Sequence, residues 1–205
     1  MLRIYGDLAA RGEHLLHGLI PDHRPVQWQH YPDDDAIDAD HGYQWFYHSH
    51  APQDRPDARE HGHFHLFARR PLWSRRLRSR AERAFAALTC APREPVATRH
   101  LLGIGLDERG LPVSLFTVNS WVTGDLMLSA PTTAGLLAAM RLDTGHRAID
   151  GVLECVMALC AAEIDELLAA RDAVLAKSRA PHVLEDRSLD VLSELPIQLD
   201  GKLRG

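Results

Sequence analysis

Apolar and polar positions alternate through the middle of the chain and recur at helical spacing toward its two ends. In YQWFYHSH, residues 43–50, a strand would carry Gln44, Phe46, His48 and His50 on one face and Tyr43, Trp45, Tyr47 and Ser49 on the other. In HGHFHLF, residues 61–67, it would carry His61, His63 and His65 on one face, with Gly62, Phe64 and Leu66 opposite. The polar loop 51–60, with two prolines, has the length to close an antiparallel hairpin. A register pairing His50 with His61 also pairs His48 with His63, and such opposed side chains lie ~5 Å apart at Cβ. A second hairpin is predicted over 98–120, where β-rich runs flank the turn Asp107-Glu108-Arg109-Gly110 and His100, Leu102 and Ile104 share a face.

Outside this region the spacing is helical. Ile4, Leu8, Leu15, Leu16 and Leu19 predict an amphipathic helix over 4–20 that stops at Pro21. Residues 21–42, with three prolines and six aspartates, read as an acidic loop, since the spaced ligand order of an EF-hand is absent. The arginine-rich segment 71–88 predicts a helix from about Arg76 whose basic face is solvated. Ser129-Ala130-Pro131 opens another helix, running into Leu136–Leu142. A stripe through Ile149, Val152, Leu153, Val156, Met157, Cys160, Ile164, Leu167, Leu168 and Leu175 predicts one long helix packed across the sheet. The expected fold is α+β, a single domain over 1–205. Its mostly antiparallel sheet comes from the two hairpins, packed against the long C-terminal and N-terminal helices, with an extended tail over 181–205.

Composition narrows the function classes. A formal charge of -5, from 23 basic and 28 acidic side chains, disfavours a general nucleic-acid or membrane-surface binder. No apolar run reaches the ~20 residues of a membrane-spanning helix, and the N-terminus does not read as a signal peptide. Three cysteines without Cys-x-x-Cys spacing suit a reducing compartment, so a cytoplasmic protein acting on a small molecule is the expectation. The sequence does not fix the oligomeric state.

The chemistry rests on the histidines. Neutral imidazoles ligate zinc, copper and iron, and same-face placement on strands lowers the cost of assembling such a site. His48, His50, His63 and His65 form the expected ligand pool, His61 is a further member, and Glu60 and Tyr47 are the supporting catalytic groups. Glu60 or Asp40 supplies a nearby carboxylate, and an open coordination position is left for water, oxygen or substrate. His100, His146 and Asn119 are further candidates. Neither a zinc-finger cysteine set, a His-Glu-x-x-His helix nor a haem-attachment string is present. The expected cofactor is a transition metal ion, iron ahead of zinc and copper, because Tyr43, Trp45, Phe46 and Tyr47 would wall a mononuclear non-haem site. The predicted protein is a small metalloenzyme, oxidoreductase or hydrolase, with a non-catalytic metal-binding or partner-binding module as the alternative.

Two resemblances add to this. The strings YHSH, EHGHFHLF and HLLGIGLDERGLPVSLFTVNSWVTGD look like an uncharacterised bacterial family, a domain of unknown function, which implies that they belong to one domain. The run HGHFHLF is also similar to the histidine triad motif of nucleotide hydrolases and transferases. That resemblance implies His63 as nucleophile on a nucleotide α-phosphate, with His61 and His65 in support. Gly62 departs from the larger apolar residue of that motif, and only sixty residues precede it.

Overall fold

The computed structural model describes residues 1–20, 25–49, 60–90 and 96–203. In chain order the elements are α1 (Leu2–Ala10), β1 (Tyr31–Asp38), β2 (Tyr43–Ser49), β3 (Gly62–Arg69), α2 (Arg70–Trp73), α3 (Arg80–Thr89), β4 (Thr98–Leu106), β5 (Pro112–Val118), α4 (Ser120–Thr123), α5 (Ala130–Ala138), α6 (Arg147–Leu159), α7 (Ala161–Lys177), β6 (Val191–Pro196) and α8 (Leu199–Lys202). The class is α+β. Six strands form one antiparallel sheet in sequence order, β1 to β6, so each neighbour is also the next strand in the chain.

Both predicted hairpins are present, and their alternation sorts the sheet into two chemically distinct faces. Trp45, Tyr47, Phe64, Leu66, Leu102, Ile104 and Leu115 belong to the main core, together with Leu136, Leu153 and Leu168 of α5, α6 and α7. Each such fully buried side chain contributes about 1.5–3 kcal/mol of burial free energy. The helix layer is also tied to the sheet by polar bonds: Trp45 Nε1 donates to Asp150 Oδ1 of α6 at 3.0 Å, and Tyr43 Oη donates to the Leu136 carbonyl at 2.8 Å. α7 packs on β5 and β6. The other face carries Phe46, His48, His63, His65, Phe67 and Phe116.

Several expectations are corrected. The segment expected to be an acidic loop contains β1, an edge strand whose register shifts between Tyr31 and Ala36. Asp33 and Asp34 lie exposed in that shifted stretch, where charge blocks further strand pairing without disturbing the ladder. At the opposite edge, part of the expected extended tail is β6, paired with β5 from Val118↔Val191 to Ser114↔Pro196. The N-terminal helix ends at Ala10, with Gly12 at φ +68, and the following turns bury Leu15, Leu16, Leu19 and Ile20. The long C-terminal helix divides at Cys160, whose backbone leaves the helical region at φ -110, ψ 24. The apolar stripe keeps its period through that break, so the pattern does not register it. In the basic segment the principal helix starts at Arg80, capped by Ser79 Oγ accepting from the Glu82 amide at 3.2 Å. Arg75, Arg76, Arg78, Arg80 and Arg83 are exposed, in keeping with a solvated face.

Candidate metal centre

β2 and β3 pair from Tyr43↔Ala68 to Ser49↔Gly62, which sets His48 opposite His63 as the spacing predicts. His65 lies two residues further along β3 on the same face. One ring nitrogen from each of His48, His63 and His65 falls within 4.8 Å of the others, and all three residues are buried. Their Nε2 geometry is tightest between the strands, with His48 Nε2 2.6 Å from His63 Nε2. Two ligands bound at ~2.0–2.1 Å in a tetrahedral set would stand ~3.3 Å apart, so loading an ion would part this pair by roughly 0.7 Å.

A fourth imidazole reaches the cluster through a bulge. β3 and β4 pair Leu66↔Leu102 and then Phe67↔His100, leaving Leu101 as the extra residue. The insertion reverses alternation, so His100 and Leu102 do not share a face as expected. Leu102 joins the core and His100 turns to the histidines, where its Nε2 lies 2.9 Å from His65 Nδ1. A His65 Nδ1–H donating to His100 leaves the His65 Nε2 lone pair for a metal.

Glu60 approaches His63 from behind, with Oε1 3.5 Å from His63 Nδ1, an ion-pair separation longer than the His65–His100 bond, and both side chains are buried. Ser114 Oγ donates to Glu60 Oε2 at 3.2 Å. Room for this carboxylate comes from Gly105, directly opposite His63, since a Cβ there would collide with Glu60 Oε2 and Ser114 Oγ. Gly103, opposite His65, similarly yields its space to the Phe116 ring. Proximity to Glu60 favours the His63 Nδ1–H tautomer, the one that presents Nε2 as an acceptor.

Burial and neighbouring charge keep His65 and His100 neutral, the form in which an imidazole ligates or supports a ligand. Burial, and then His63, His100, His48 and His30, hold the His65 pKa well below the ordinary histidine value. Burial, followed by the charge of Arg171 and then His63, pushes His100 down to about 3. The cluster is set among phenyl rings: Phe116 lies 4.7 Å from His63 and Phe46 lies 5.1 Å from His65 between centroids. A cleft of about 290 Å³ opens over His48 and His65, bounded by Trp28, His30, Asp35 and Asp125.

The other candidates fall elsewhere. His61 is exposed at the entrance to β3 and is not part of the three-residue cluster, and His50 lies outside the described residues, as does its pairing with His61. Tyr47 points to the helix-covered face and packs on Phe64 at 5.3 Å. Tyr43 and Trp45 also face the core, so of the expected aromatic wall only Phe46 borders the histidines, joined by Phe67, Phe116 and Trp28. His146 sits edge-on to Trp45 on the core side. Asn119 accepts from the Ser120 amide and donates to the Val183 carbonyl, tying down the tail. Asp40 occupies the β1–β2 turn, at the end of β2 away from His48. Sequence reasoning missed His30, which stacks on Phe46 at 3.6 Å, and the pair Gly103 and Gly105, whose spacing within a strand was a legible sign of close approach.

Fold and site together define an α+β protein with a buried histidine cluster that could hold a metal ion. No described helix is long and apolar enough to cross a membrane. The chain belongs to the family described as a domain of unknown function (DUF6969), whose profile matches residues 1–197. No curated protein and no solved structure matches it.

Proposed function

We propose that this protein is a metal-dependent enzyme with a mononuclear centre held by Nε2 of His48, His63 and His65, acting on a small molecule that enters the cleft above them. The observation that carries this reading is the convergence of three buried ring nitrogens within 4.8 Å, two of them on histidines that line the cleft. Three histidines leave at least one coordination position open, and a divalent ion there would supply an acidified water or a Lewis acid. Glu60 and His100 are positioning residues, orienting His63 and His65 through their Nδ1 atoms. The phenyl rings limit water around the ligands, which strengthens electrostatic interactions inside.

The donor set now favours zinc over iron. The non-haem iron triad takes two histidines and one carboxylate, whereas Glu60 stands behind His63 beside its Nδ1. A nucleophilic His63, as in the histidine triad enzymes, has less support: its Nε2 faces His48, its Nδ1 faces Glu60, and the cleft opens on His48 and His65.

Elemental analysis of protein purified without a histidine tag tests the proposal. About one zinc per chain is expected, falling by at least tenfold in a His48→Ala, His63→Ala double variant. Metal-free wild-type protein that remains folded and refuses added zinc, iron and copper would overturn it.

A further inference from the structure

We propose that the cleft above His48 and His65 binds a small organic cation, a compact body bearing an ammonium group. The inference rests on the metal-centre reading for what is done to the ligand, while its recognition stands on other residues.

The cleft floor includes Phe46 and Phe67, stacked with centroids 5.5 Å apart and planes at 28°. Its outer wall is Trp28, 59% exposed and edge-on to His48 at 5.8 Å. Trp28 also adopts φ +65, a backbone region that bulky side chains avoid, while its amide donates to the Ser49 carbonyl at 3.4 Å. An exposed indole beside a cleft suits a ligand wall, and aromatic faces attract ammonium groups.

Two carboxylates line the same space. Asp35 of β1 accepts from Gln44 Nε2 at 2.7 Å through Oδ2, and its Oδ1 lies 3.1 Å from His30 Nδ1. A carboxylate oxygen can accept more than one such bond, so capacity remains for a ligand. Asp125, beyond α4, accepts from the Thr98 hydroxyl. Burial pushes its carboxyl up, the Thr98 bond and Arg99 draw it back, and the charge of Asp35 adds to the rise. Both acids line the same cleft, and a cation bound there would offset their like charge.

Among the described residues, no lysine or arginine lines the cleft. Phosphate and carboxylate ligands would meet two acids there and, among the described residues, no cationic side chain, a metal ion on the histidines being the one positive charge they could reach. A hard metal ion would seek oxygen donors throughout, and the ring faces offer none. The volume of about 290 Å³ lies at the small end of ligand sites and limits the body of the ligand.

Calorimetric titration with benzylammonium, benzyl alcohol and benzoate tests this on metal-loaded and chelator-treated protein. The ammonium is expected to bind about tenfold tighter than the alcohol in both forms, and benzoate weakest in the chelated form. Asp35→Asn, which retains a residue suited to the φ of +55 at that position, should abolish most of this preference at unchanged metal content. Trp28→Ala should weaken the ammonium and the alcohol together. Equal binding of ammonium and alcohol, or a preference indifferent to Asp35→Asn, overturns the inference. Protein that takes up no metal yet keeps the ammonium preference overturns the metal reading alone, and metal uptake without that preference does the reverse.

Discussion

Mild acid should destabilise the metal-free protein, and His100 should carry a measurable share of the loss. Burial and the charge of Arg171 depress its folded-state pKa to about 3, against an ordinary value of 6.5. The unfolded chain therefore binds the proton first. Stability is complete above pH 6.5 and is lost as pH falls from there toward the folded value. At 1.36 kcal/mol per pH unit, the loss between pH 7.5 and 5 is about 2 kcal/mol from His100 alone. His65, depressed by burial first and by its neighbouring imidazoles, adds a loss of the same sign. Asp125, raised by burial, works the other way and offsets part of the total. Urea unfolding followed by tryptophan fluorescence, with chelator present, measures the difference at constant m. In His100→Gln the drop between these pH values should shrink by about 2 kcal/mol. An identical drop in wild type and variant would refute the assignment of the loss to a buried neutral His100.

Three further perturbations separate the site from the scaffold. Gly105→Ala should push Glu60 away from His63 and weaken metal binding by about 10- to 100-fold in chelator competition; unchanged affinity would remove Glu60 from the supporting shell. His100→Phe should lower metal affinity by a similar factor while His61→Ala leaves it unchanged, and equal losses from both would contradict the placement of His61 outside the cluster. Trp45→Phe removes the donor to buried Asp150, which keeps its bonds from Thr144, and should cost about 1–3 kcal/mol in urea with no change in metal content.

The central hairpin was legible because two rules agreed there. A period of two in the histidines and a loop of suitable length fixed both the shared face and the pairing of His48 with His63. The aromatic residues around those histidines invited a misreading for the same reason. Tyr43, Trp45 and Tyr47 are close to His48 in sequence, yet alternation sends them to the helix layer, where Trp45 meets Asp150 and Tyr43 meets the Leu136 carbonyl. Applied strictly, the period would have separated them from the site. Of the rings that border it, Phe67 follows His65 by the same period on β3, whereas Phe116 comes from β5 and its approach depends on Gly103 and the sheet order.

What was not legible lies where the regular period is interrupted. The bulged residue Leu101 leaves no mark in TRHLLGIG, because Leu101 and Leu102 are equally apolar and both are buried. Yet that insertion decides whether His100 faces the histidines or the core. β1 was hidden by its aspartates, which pattern reasoning assigns to a loop, although an edge strand tolerates charge on its unpaired side and is protected by it. The consequence is functional as well as architectural. The register shift in β1 accompanies the positive φ of Asp35, which lines the cleft, just as the bulge in β4 accompanies the turn of His100 toward His65. Both departures deliver a polar side chain to the histidine face that regular strands of the same sequence would place differently, so regular pairing assembles His48, His63 and His65 while the irregularities of the sheet furnish what surrounds them.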